Sequence, residues 1–103
     1  MRAMPATTVF CERLREARLA AGLSQKNLGI AAGIDSFVAS ARVNRYEKGT
    51  HEPGVNVAAN LAAALGVPLA YLYAEDDRLA RLIEAFSRMS RKTQDAVLKG
   101  LPE

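Results

Sequence analysis

Residues able to carry chemistry are sparse in this chain of 103 residues. Cys11 and His51 are its only cysteine and histidine, and no pair of carboxylates is placed for acid–base work. A metal centre needs several converging ligands, and a thiol nucleophile needs an adjacent base. Neither set exists, nor does a glycine-rich loop that would cradle a phosphate. The sequence therefore predicts no enzyme, no metal site and no cofactor. Cys11 falls in a helical stretch without a nearby histidine and reads as a packing residue. His51, alone in a turn, reads as a surface or phosphate contact. What remains is positive charge: fourteen Lys and Arg against eleven Asp and Glu give a net +3, and residues 1–57 hold eight basic and five acidic side chains. The excess thus lies in the front half, where it permits an anionic partner without requiring one.

The elements that must position these charges are helices. Half the residues are apolar, few are aromatic, and Ala, Leu, Arg and Glu are frequent, which predicts an all-α chain with one core. A lone cysteine precludes an internal disulfide, no apolar run follows Arg2, and no stretch reaches the length of a membrane span, so the expectation is a cytoplasmic protein without a membrane partner. Residues 1–9 mix Pro5 with small and polar residues and are expected to form a disordered arm.

From Phe10 onward the apolar spacing becomes helical. Phe10, Leu14, Ala17 and Ala21 form the inner stripe of a first helix, with Glu12, Arg13, Arg15 and Glu16 outward and Gly22 as its stop. Ser24 is placed to cap a second helix over 25–32, with Leu28, Ala31 and Ala32 inward and Gly33 at its end. A third helix is expected over 36–48, with Ala39, Val43, Tyr46 and Glu47 on one face, and a fourth from Pro53 to Leu65. Residues 68–73 supply a fifth, completing one unit over 10–75. Asp76 or Asp77 would cap a sixth helix and Ser90 a seventh, so that 76–103 is an amphipathic tail.

A helix, a glycine-containing turn and a second helix form the unit that presents its second helix to the DNA major groove. The surrounding residues add specificity. Leu23-Ser24-Gln25, residues 28–33, Val43-Asn44-Arg45-Tyr46-Glu47-Lys48-Gly49, Glu52-Pro53, and Leu61-Ala62 through Leu65-Gly66-Val67 together resemble the Cro and phage-repressor helix-turn-helix family, also called XRE-like. The resemblance spans residues 10–73 and implies a compact five-helix, lambda-repressor-like domain carrying one or two extra C-terminal helices.

It also implies roles for single residues. Gln25, at the start of the second helix, matches a glutamine that contacts a phosphate and braces the reading helix, and Arg18 and Glu47 match an ion pair tying the first helix to the end of the third. Ser40, Ala41, Asn44 and Arg45 fall on the base-facing positions. Arg45 suits guanine O6 and N7, while Asn44 either pairs with adenine or stays solvated. Lys26, Arg42, Lys48, Thr50 and His51 fall where phosphates should pass. One departure from the family pattern lies ahead of Val43, where Ser36, Phe37, Val38 and Ala39 stand as an insertion. Four residues make about one helical turn. The expectation is a reading helix lengthened at its N-terminus, with Phe37 or Val38 touching a thymine methyl or packing under the turn; a looped-out insertion is the alternative.

The tail leaves two readings open. Leu79, Leu82, Ile83, Phe86 and Met89 either pack back on the five helices or form the interface of a homodimer. The function expected is a sequence-specific transcriptional regulator: a homodimeric repressor on a near-palindromic stretch of double-stranded DNA, inserting one helix per subunit into grooves about 34 Å apart. An antitoxin-like protein that chiefly binds a protein partner through its tail is the alternative.

Overall fold

The computed structural model describes residues 6–103, and among these it has seven helices and no strand. They are α1 (Ala6–Ala20), α2 (Gln25–Ala31), α3 (Ala39–Lys48), α4 (Val55–Leu65), α5 (Leu69–Tyr73), α6 (Asp77–Arg88) and α7 (Arg91–Lys99). Helix α1 starts at Ala6, not Phe10, and Val9 is buried, so 6–9 belong to the folded unit and not to a disordered arm. The rest of the expected arm, 1–5, lies outside the described residues.

One core joins the first five helices. Phe10, Leu14 and Ala17 of α1 meet Leu28 of α2, Val43 and Tyr46 of α3, Leu61 and Leu65 of α4, and Leu72 of α5. Leu14, Leu28, Val43, Leu61 and Leu72 are completely enclosed, and burying each removes enough apolar area for roughly 1.5–3 kcal/mol. The Phe10 and Tyr73 rings close the α1–α5 side with their centroids 5.3 Å apart.

Helices α2 and α3 form the most extensive pair, and two glycines set their arrangement. Gly29 lies mid-helix where a Cβ would stand 2.7 Å from the Cβ of Ala39, the first residue of α3, so the two helices approach as closely as backbones allow. Gly33, at φ +88°, turns the chain out of α2 in a left-handed conformation that side chains disfavour. Its N–H donates to Ile30 O, and the Ile34 N–H donates back to Gly29 O.

The expected third helix over 36–48 is shorter in the structure. Ser36, Phe37 and Val38 form a turn, and α3 begins at Ala39. The carboxylate of Asp35 accepts from the Phe37 N–H at 2.9 Å and the Asp35 carbonyl accepts from the Val38 N–H, which holds these amides in a turn instead of a helix. Ser36, Phe37 and Val38 thus add no turn to the N-terminus of α3, and Ala39, the first residue of that helix, is a core residue.

Arg13 departs from its expected outward position. It is 6% exposed, its Nε donates to Ala74 O at 2.9 Å, and Nη1 lies 2.9 Å from Asp77. The guanidinium also stands 5.9 Å from the centre of the Tyr71 ring. Arg13 falls between Phe10 and Ala17 on the same helical stripe, so position, and not charge, decided its burial.

The tail packs less fully. Asp76 caps α6 by accepting from the Arg78 and Leu79 N–H groups, and Ala80 and Ile83 turn toward the core. Ser90 caps α7 by accepting from the Thr93 N–H, yet α7 has no buried residue. A radius of gyration of 14.8 Å, against about 13 Å for a compact chain of this length, reflects that extension.

Candidate nucleic-acid interface

Helix α3 has two unlike faces. Ala39, Val43 and Tyr46 are buried, while Ser40, Ala41, Arg42, Arg45 and Lys48 are exposed and Asn44 is half-buried. The three-residue and four-residue spacings of the inner set leave the outer set as a continuous solvent-facing stripe. Its groups are a small hydroxyl, a methyl, an amide, two guanidinium groups and an ammonium, all suited to base edges and phosphates.

The orientation of that stripe is fixed from behind by charge. Arg18 on α1 and Glu47 on α3 form a two-pronged pair, with Nε donating to Oε2 at 2.6 Å and Nη2 donating to Oε1 at 3.1 Å. The remaining arm, Nη1, donates to Leu23 O at 3.0 Å. Only 4% of the Glu47 side chain is exposed, so the carboxylate depends on these donors for the solvation it has lost. The hydrogen bond to Glu47 raises the Arg18 guanidinium above its ordinary range and outweighs the opposing effect of burial. Gln25 joins the pair, its Nε2 donating to Glu47 Oε1 at 3.2 Å, so one carboxylate gathers α1, α2 and α3.

Above this network lies an open cleft of about 520 Å³, lined by Arg15, Ser24, Gln25, Asn44 and Lys48. Ser24 caps α2 there by accepting from the Asn27 N–H at 3.0 Å. The cleft therefore unites Gln25, Asn44 and Lys48 with the Arg18–Glu47 pair. It adds Arg15, which sequence reasoning did not single out; its place three residues before Arg18 on α1 was the available signal.

The remaining candidates do not line the cleft. Lys26 is exposed on α2, and Ser40, Ala41, Arg42 and Arg45 lie along the outer stripe without lining the cleft. Thr50 and His51 follow the left-handed Gly49 that ends α3. The Thr50 hydroxyl donates to Arg45 O at 3.3 Å, which gives it a part in finishing the helix. Cys11 performs a related task from α1: burial pushes its thiol up, keeping it protonated, and its S–H donates to Tyr46 O at 3.1 Å. Tyr46 O, in the last turn of α3, gains a donor in this way, while Arg45 O already accepts from the backbone N–H groups of Gly49, Thr50 and His51.

Comparisons with known proteins follow the same outline. The family model for the helix-turn-helix matches residues 14–72, more than half the chain. A solved structure, the crystal structure of the transcriptional regulator BswR, is 43% identical, with a TM-score of 0.81, over 86% of this chain and 88% of that one. No curated protein matches the chain. No helix among the described residues is long and apolar enough to cross a membrane. The matched span contains the Gly33 turn, the α2–α3 pair and the charge network that orients the outer face of α3, and the chain belongs to the XRE-type helix-turn-helix family of DNA-binding regulators.

Proposed function

We propose that the protein is a homodimeric transcriptional repressor that reads a near-palindromic DNA site with the outer face of α3. The observation that carries this reading is the open stripe of Ser40, Ala41, Asn44 and Arg45, held rigidly from behind by Arg18, Glu47 and Gln25. Arg45 bonds guanine and Asn44 pairs with adenine, while Gln25, Lys26, Arg42, Lys48, Thr50 and His51 meet phosphates. Similarity to a protein described as a transcriptional regulator supports the regulatory role.

The dimer forms through the tail. Leu79 and Leu82 are 50% and 54% exposed on α6, and Ile83, Phe86 and Met89 continue the apolar side. Replacing both exposed leucines with Glu should give a monomer by light scattering without unfolding the core; a dimer of unchanged size would remove this assignment. A protein partner is the second reading, favoured by the apolar groove between α6 and α7, lined by Leu82, Phe86, Val97 and Leu98.

Fluorescence anisotropy tests the main reading with DNA from upstream of the protein's own gene against scrambled DNA, over a salt series. Selective binding that survives physiological salt is expected, because salt removes non-specific attraction first. Arg45→Ala should weaken the specific complex by about 1–3 kcal/mol and spare non-specific binding. Equal, salt-fragile binding of both DNAs would shift the function to the protein partner.

A further inference from the structure

The turn that precedes α3 carries a side chain the five-helix core does not use. Phe37 is 96% exposed, the most exposed large hydrophobic among the described residues, and Val38 beside it is 43% exposed. The Phe37 backbone is nevertheless anchored: its N–H donates to Asp35 Oδ1 at 2.9 Å, and the Val38 N–H donates to Asp35 O at 3.1 Å. A bare aromatic ring on a tied turn is costly to keep in water, and its place identifies what covers it.

We propose that Phe37 reads a thymine methyl group in the major groove, an inference that rests on the DNA-binding reading of α3. The N-terminal end of a recognition helix is the end that meets base edges, and Phe37 stands two residues before Ala39, where α3 starts. Ser40 and Ala41, the next outward residues, are small and leave the ring room to approach the floor of the groove. Charge favours the groove floor over the strand: from Leu23 to His51 the basic residues are Lys26, Arg42, Arg45 and Lys48, while Asp35 puts the one unpaired carboxylate of this segment at the base of the Phe37 turn. A carboxylate repels phosphate, so this turn is poorly suited to ride on the backbone. The thymine C5 methyl is the apolar group that the major groove displays, and a phenyl ring is a suitable partner for it. The four-residue insertion thereby adds a reading element outside the stripe of α3.

The test uses the full chain and a randomised DNA duplex library. Once wild-type protein has enriched a site, each thymine in both half-sites is replaced in turn by deoxyuridine, which removes only the methyl. One replacement should weaken wild-type binding about fourfold, the effect of one buried methyl group, and should have no effect on Phe37→Ala. Phe37→Ala should itself bind the parent site about tenfold more weakly, with an unchanged melting temperature because the ring packs on nothing. If no thymine methyl matters to wild type while remaining silent in Phe37→Ala, the proposal is overturned and selective DNA binding still stands. Phe37→Ala altering self-association instead of DNA affinity would assign the ring to a protein contact and overturn it as well. Failure of wild type to enrich any sequence would remove the underlying reading together with this one.

Discussion

Helices α1–α5 and helices α6–α7 carry apolar stripes of the same kind, yet only the first set closes. After Ala74 the one buried hydrophobic residue is Ala80, while Leu79, Leu82, Leu98 and Leu101 each stand half or more exposed. In the core the stripes meet: Leu14, Val43 and Leu61, from three different helices, are fully buried in one cluster. In the tail α7 contributes no buried residue and is tied to α6 by its apolar side and by the Gln94 side chain, which donates to Phe86 O at 2.8 Å. Amphipathic spacing thus shows that a face needs cover without saying what supplies it.

Two arginines of α1 connect these regions to the rest. Arg18 reaches toward α3 and finds a carboxylate that is almost fully enclosed; Arg13 reaches toward the tail and finds a backbone carbonyl and a carboxylate that is 92% exposed. An enclosed pair holds its partners strongly because water cannot replace either member, whereas an exposed one is screened and adds little. The expected consequences differ in size and in reach.

Glu47→Ala should be the most damaging change. It strands the Arg18 guanidinium and the Gln25 amide behind α3, and the loss should be about 3–5 kcal/mol, measured by urea unfolding. All five core helices should lose protection together in hydrogen exchange. If only α3 loosens, the pair is a local fastening and the contrast with Arg13 fails.

Arg13→Met keeps the apolar stem and removes the charged hydrogen bond to Ala74 O, for an expected loss of about 1.5–3 kcal/mol. Exchange should quicken mostly in α5 and α6, next to the lost contacts. Uniform loss across α1–α4 would make Arg13 part of the core's cooperative unit and blur the division drawn here.

Much of this architecture was legible as local chemistry. Ser24, Asp76 and Ser90 announce their helices because a cap is a contact within three residues, and the Gly33 stop is equally local. The alternation of buried and exposed positions along α3 follows from period alone. What escaped is non-local or competitive. The stripe of Phe10 and Ala17 turns Arg13 inward, but the groups that let its charge stay there, the Ala74 carbonyl and the Tyr71 ring, lie some sixty residues away and nothing near Arg13 encodes them. Residues 36–38 contain no helix breaker and so read as helix, yet α3 starts only at Ala39 because the Asp35 carboxylate and backbone carbonyl draw the amides of Phe37 and Val38 into a turn. The same turn exposes Phe37, whose character as a bare side chain depends on where the chain bends.

Gly29→Ala probes the core side of the contrast at a smaller scale. The added methyl would fall 2.7 Å from the Ala39 Cβ and near its backbone, which has no flexible end to swing aside. Separating α2 from α3 should cost about 1–3 kcal/mol, partly offset by roughly 1 kcal/mol of helix propensity. A melting temperature at or above wild type would mean that the two helices need not approach this closely.

Asp76→Ala should have the smallest effect and the most confined. The Asp76 carboxylate accepts from the Arg78 and Leu79 N–H groups at 2.7 and 3.2 Å in an exposed turn, so its removal should cost about 1 kcal/mol, at the first turn of α6. Because α6 contributes one buried residue to the core, that loss should fray the tail without passing through Arg13 into α1. Faster exchange confined to α6 and α7, with the urea midpoint nearly unchanged, is the expected result. A shift of the whole transition by the full cap energy would show that core and tail unfold as one, and the half-exposed stripe of α6 would then have to be counted among the contacts that hold α1–α5 together.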